Sequence, residues 1–140
     1  MNAANGPSSG RGLELVWVAG RYAICRLGGA EEVPEWGRGA FVTVSRTAEE
    51  LSIVCDFERV PGEVSAEGPF LLLRVAGSLD LGLVGILASL AGPLARAEVP
   101  IFAISTFETD YLLVRESDRE RAESALVAAG HRFLDEKPPS

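Results

Sequence analysis

One histidine and two cysteines in 140 residues leave little material for metal or thiol chemistry. No His and Cys stand at the spacing a zinc site needs. The chain has no glycine-rich phosphate loop of the Walker type and no serine in a nucleophile elbow. Cys25 and Cys55 sit in apolar runs. Two cysteines make no disulfide framework, so they read as buried free thiols in a reducing compartment. Basic residues are also scarce: 13 Lys and Arg face 20 Asp and Glu, for a net charge of −7. That balance disfavours nucleic-acid phosphates and anionic membrane surfaces. The longest apolar stretch, Leu81 to Ala95, is interrupted by Gly82, Gly85, Gly92 and Pro93. It is too short and too broken to span a bilayer. The first twelve residues lack the charged start and apolar core of a secretory signal. These absences predict a cytoplasmic protein with no cofactor, no nucleic acid, no membrane contact and no enzymatic activity.

What is present is apolar material, 47% of the chain, enough for one compact domain or two small ones sharing a core. Residues 1–12 read as a flexible leader and 135–140 as a flexible tail. Within the remainder lies an internal echo. Ser105-Thr106-Phe107-Glu108-Thr109-Asp110-Tyr111-Leu112-Leu113-Val114 follows the β-type run Ile101–Ile104. Sixty positions earlier, Ser45-Arg46-Thr47-Ala48-Glu49-Glu50-Leu51-Ser52-Ile53-Val54 follows Phe41–Val44. Both segments put carboxylates in the middle and a branched apolar run at the end, which predicts two related modules.

The first module, 13–65, reads as strands Leu13–Ala19, Tyr22–Leu27, Phe41–Ser45 and Leu51–Phe57. Glu31 to Trp36 has room for one helical turn before Gly37. Arg59 to Gly68 reads as a polar link. The second module, 69–134, is more regular. Phe70–Val75 is a strand, and Ser78-Leu79-Asp80 offers a helix N-cap. Leu83, Ile86, Leu87, Leu90 and Leu94 follow at helical spacing, with Pro93 expected to bend or interrupt the helix. Ile101–Thr106 and Tyr111–Val114 pair across the acidic turn. Ser117-Asp118-Arg119-Glu120 matches a capping box, and Gly130 stands where a helix C-terminus needs a left-handed residue. His131–Leu134 is a last strand. The fold class is α+β: two ferredoxin-like βαββαβ modules, the first degenerate and mostly β. The first has no room for full helices. Its sheet therefore needs covering, by the other module or by a second copy in a homodimer.

The strand–helix–strand–acidic turn–strand–helix order resembles the ACT domain, a small regulatory module that binds amino acids. The resemblance sharpens at Gly85-Ile86-Leu87-Ala88, Pro93-Leu94-Ala95 and Ile104-Ser105-Thr106-Phe107-Glu108-Thr109-Asp110-Tyr111. There the chain is similar to the free-standing ACT-repeat proteins of bacteria and to the CASTOR arginine sensors of animals. The resemblance implies a ligand at an interface between modules, touching Ser78, Asp80, Gly82, Leu83, Val84, Gly85, Ile86, Thr106, Phe107, Glu108 and Asp110. The animal proteins string four modules and this chain has two, so a second copy would supply the rest. No ligand identity is implied.

The residues support such a site independently. A helix N-terminus presents free N–H groups and partial positive charge to a carboxylate. Gly82 and Gly85 permit close backbone approach. Glu108 or Asp110 can accept from an ammonium group. Each residue also has a simpler role. Asp80 can be an N-cap only, the glycines packing devices, and Glu108 and Asp110 turn residues. Trp17 and Trp36 read as core or interface fillers, and His131 as a structural group after a helix. The expected function is that of a small-ligand regulatory sensor with an unidentified protein partner. The alternative is a structural or protein-interaction module that binds no ligand.

Overall fold

The structure, a computed structural model, describes residues 12–76 and 85–135. Its strands are β1 (Glu14–Leu27), β2 (Thr43–Arg46), β3 (Leu51–Asp56), β4 (Ser65–Val75), β5 (Ile101–Ser105), β6 (Asp110–Arg115) and β7 (Arg132–Phe133). Its helices are α1 (Ile86–Arg96) and α2 (Arg119–Ala128). Two compact units form. One comprises the chain up to Ala19 and from Leu71 onward; the other is Gly20–Phe70. The chain passes between them inside β1 and β4, not in a polar link.

The helical unit carries strands in the order β7-β1-β4-β6-β5. In a split βαβ sheet the last strand lies beside the first. Here the first half of β1 stands between β4 and β7, pairing parallel with β7 at Glu14↔Arg132 and Leu15↔Phe133. This strand was expected in the other module. It belongs here because Leu15 and Trp17, alternating toward one face, are buried with Leu71, Leu73, Val75, Leu112 and Val114. Ile86, Leu90 and Leu94 of α1 and Ala122 and Leu126 of α2 close that core. Leu87, expected on the buried stripe, is partly exposed instead.

Pro93 does not interrupt α1, which runs on to Arg96. Its missing N–H leaves the Ser89 carbonyl without its helical donor. His131 takes that place: Nε2 lies 2.9 Å from the Ser89 oxygen, while Nδ1 accepts from the Leu13 N–H at 3.0 Å. The pair of bonds fixes the tautomer with the proton on Nε2. The only histidine in the chain is thus a buried structural bridge.

The capping box does not form. A 3-10 turn, Glu116–Asp118, precedes α2, and Asp118 pairs with Arg121 at 2.9 Å instead of capping a backbone N–H. The C-terminus follows expectation. Gly130 has φ +102°, with Gly130 N–H donating to Val127 O at 3.0 Å and His131 N–H to Leu126 O at 3.1 Å. This is the Schellman pattern.

The β unit carries strands in the order β2-β3-β1-β4. Leu13–Ala19 and Tyr22–Leu27 are not two strands but one, with Gly20 at φ +106° inside it. Only glycine takes that angle without strain, so the strand continues through a local irregularity instead of reversing. Glu31–Trp36 forms turns and no helix. Part of the expected polar link is strand, since β4 begins at Ser65. Ala23, Cys25, Leu51, Ile53 and Cys55 form the core, with Leu27, Trp36, Phe57, Val60 and Val64 packed against it. Irregular segments therefore cover what helices were too long to cover.

Candidate functional site

Ser78, Asp80, Gly82, Leu83 and Val84 lie outside the described residues. The others fall into two groups. At the start of α1, Gly85 adopts φ +82° and its carbonyl accepts the Ser89 N–H at 2.9 Å. A Cβ built there would meet nothing within 4 Å. Backbone angle, not close packing, is what calls for glycine at this position. Ile86 points into the core at 6% exposure, so its side chain serves packing and not a ligand.

The second group is the β5–β6 hairpin. Its register ends at Ser105↔Asp110. Thr106 N–H donates to Thr109 O at 2.9 Å, closing a four-residue turn, and the Thr106 hydroxyl reaches the same oxygen at 3.1 Å. Phe107 and Glu108 form the tip, and both are exposed. Phe107 is 82% exposed. Asp110 differs from Glu108. It opens β6 and accepts a 2.6 Å hydrogen bond from Ser105 Oγ. By strand alternation it shares the face of Leu112 and Val114, the face the helices cover. The two carboxylates were expected to act at one turn; only Asp110 is held by a partner side chain.

Two residues of this arrangement escaped the sequence reading. Ser105 read as a plain strand residue, yet it orients the carboxylate. Thr109, which its residue type does not single out, is buried and its hydroxyl donates to Val75 O at 3.1 Å. That bond fastens the hairpin turn to the end of β4. The signal was available in the spacing: a Thr three residues after another Thr, at the end of a turn, can be either a solvated residue or a tie. Chemically, the site offers an oriented carboxylate at the strand ends. It suits a cationic or ammonium group. Among the described residues no three His, Cys, Asp or Glu converge as metal ligands, and no helix is long and apolar enough to cross a membrane.

An α+β unit with two helices on one sheet face and an acidic hairpin at the strand ends has the split βαβ arrangement. The ACT-domain family model matches residues 65–128, and a separate N-terminal-domain model matches residues 20–63. A solved protein of Agrobacterium tumefaciens is 37% identical, covering 92% of this chain and 97% of its own, with a TM-score of 0.84. The cytosolic arginine sensor for mTORC1 subunit 1 of Homo sapiens is 31% identical over 97 residues, 61% of this chain and 30% of the sensor. The aspartate kinase of Synechocystis shares the fold at a TM-score of 0.66 and 14% identity, over 91% of this chain and 28% of the kinase. The chain contains an ACT domain at residues 65–128 and is related to the animal arginine sensors. It spans about a third of the length of those curated relatives.

Proposed function

We propose that this chain is a regulatory protein that binds an amino acid or a similar small zwitterion beside the β5–β6 turn. The observation that carries the reading is the Ser105–Asp110 pair, fastened to the end of β4 by Thr109. A carboxylate oriented by a hydroxyl suits the ligand's ammonium group or a cationic side chain. Backbone N–H groups at the start of α1 suit its carboxylate. The human relative is named for sensing arginine. On this reading the protein acts in the cytoplasm, as a homodimer, by ligand-dependent population shift and without catalysis. A mass near 14.9 kDa by sedimentation at micromolar concentration would remove the dimer.

The test is a thermal-shift screen against the common amino acids. A cognate ligand at about 100 times Kd adds about 2.7 kcal/mol, roughly 5–15 °C for a domain of this size. Asp110→Asn should abolish the shift and leave the apo protein folded, because the side chain lies outside the core. The second reading is a protein-interaction module without a ligand. The 82% exposure of Phe107 at the hairpin tip favours it. If no amino acid moves the wild-type transition, that second reading stands.

A further inference from the structure

Away from that hairpin, α2 and β7 enclose an open depression of about 690 Å³, lined by Glu120, Glu123, Ser124, Val127, Ala128 and Phe133. The helical positions fall at i, i+3, i+4, i+7 and i+8, one complete face of α2. It is the face opposite Ala122 and Leu126, which enter the core. The floor is apolar: Val127 is 54% exposed and Phe133 stacks on Trp17 at 5.7 Å between ring centroids. One wall is acidic. Glu120 and Glu123 have no cationic partner among the described residues, whereas the nearby cations are engaged: Arg121 with Asp118, Arg132 with Glu14, and Arg119 over the Trp17 ring.

The other wall is an open strand edge. Among the described residues β7 pairs with β1 alone. Arg132 and Leu134 direct their N–H groups to the Leu13 and Leu15 carbonyls, at 2.9 and 2.8 Å. In a strand the residue between them directs its N–H and C=O the opposite way, so those of Phe133 face the open side. A helix face lying along a free strand edge is the geometry that receives an extended peptide by strand addition.

We propose that the groove between α2 and β7 binds an extended, basic segment of a partner protein. The segment adds to the edge of β7. It seats an apolar side chain on Phe133 and Val127 and sets Lys or Arg against Glu120 and Glu123. Charge decides the occupant. A strand that docks here meets two unpaired carboxylates, so an acidic segment is repelled and a basic one attracted.

The probe is a library of random dodecapeptides displayed on phage, selected against the wild-type protein and against Glu120→Lys/Glu123→Lys. Both substituted side chains lie away from the core, so the variant should fold. The wild type should enrich peptides in which Lys or Arg alternates with apolar residues. The charge-reversed variant should enrich acidic ones, and Val127→Asp should cut the affinity of a wild-type-selected peptide at least tenfold. Binding should also change the fluorescence of Trp17 in a Trp36→Phe background, since Trp17 stacks on the groove floor. Failure to enrich any sequence, or identical enrichment by both charge forms, overturns the proposal. So does amide protection of 120–133 by a second copy of the chain without peptide. None of these results bears on the amino-acid screen, which reads the hairpin at Asp110.

Discussion

The two units contain the same turn put to different use. In the β unit, β2 and β3 close at Arg46↔Leu51; in the helical unit, β5 and β6 close at Ser105↔Asp110. Thr47 N–H donates to Glu50 O at 2.9 Å, as Thr106 N–H does to Thr109 O. The Thr47 hydroxyl accepts from the Glu50 N–H at 3.1 Å, and the Thr106 hydroxyl from the Thr109 N–H at 3.4 Å. The internal echo is therefore structural, with Thr47 matching Thr106 one position off the spacing of sixty. The difference lies in the fourth residue. Thr109 ties its turn to β4 through a hydroxyl, whereas Glu50 reaches outward to Arg26 at 4.0 Å across exposed surface. A buried neutral tie fixes geometry; an exposed ion pair contributes little. The second hairpin is tied to its sheet by a buried hydroxyl, the first by exposed side chains.

The cores differ in the same sense. The helical unit buries its sheet under α1 and α2, the β unit under irregular segments around Trp36, Phe57 and Val60. One tryptophan stands in each core region, so Trp17 and Trp36 can report the units separately. The largest effect should come from Leu126→Ala, because Leu126 is 0% exposed between α2 and the sheet. The expected cost is about 2–5 kcal/mol. Denaturant titrations in Trp17→Phe and Trp36→Phe backgrounds should locate it. If the helical unit unfolds first while Trp36 keeps its native signal, the units are energetically separable. Coincident transitions by both probes would show that the division into units is geometric only.

That division also marks where the sequence could be read and where it could not. The α1 stripe, the acidic hairpin and Gly130 were legible because their signals are local: period, turn chemistry and a left-handed angle. The path of β1 was not. Gly20-Arg21 looks like a turn, and nothing within the strand says that it continues or that its first half lies between β4 and β7. Pairing between residues more than 100 positions apart, such as Glu14 with Arg132, is set by the whole sheet. The capping box failed because Ser117 lies inside the 3-10 turn, so α2 begins at Arg119 and not directly after Ser117. At the site, Asp110 was legible as a carboxylate at a turn, but Ser105 and Thr109 act through tertiary contacts that their residue types do not announce.

A middle-sized effect belongs to the β unit alone. Cys25 and Cys55 are buried on adjacent strands. Burial first, and then the neighbouring Cys55, push the Cys25 thiol up to about 12 from an ordinary value of 9.0. Cys55 is raised as well, chiefly by burial. The folded state therefore holds these protons more tightly than the unfolded chain. Their contribution to stability is complete below about pH 9 and is lost as pH rises toward 12. By pH 10 the loss from Cys25 should be about 1 kcal/mol. Cys25→Ala should flatten the alkaline limb as read by Trp36. An unchanged limb would mean that other groups govern it. For the same reason both thiols should react slowly with a disulfide reagent in the native protein at pH 8, since little thiolate forms.

The smallest predicted effect sharpens the contrast from within the helical unit, where two helices end in one motif with different residues. After α1, Glu98 N–H donates to Ala95 O at 3.0 Å and Val99 N–H to Leu94 O at 2.9 Å, the pattern seen after α2. The residue that turns the chain is Gly130 in one case and Glu98, at φ +62°, in the other. A residue with a Cβ pays about 1 kcal/mol in that region, so Glu98→Gly should relieve it. The gain is reduced because glycine also frees the unfolded chain. The net stabilisation should be about 0.5 kcal/mol, seen as a shift of the Trp17 transition with no change in its slope. Gly130→Ala should move the same transition the opposite way, by about 1 kcal/mol, although a Cβ there meets nothing within 4 Å. The cost would then be conformational and not steric. If Glu98→Gly destabilises instead, its side chain makes an interaction that outweighs the strained angle, and the two helix ends are alike in geometry but not in energy.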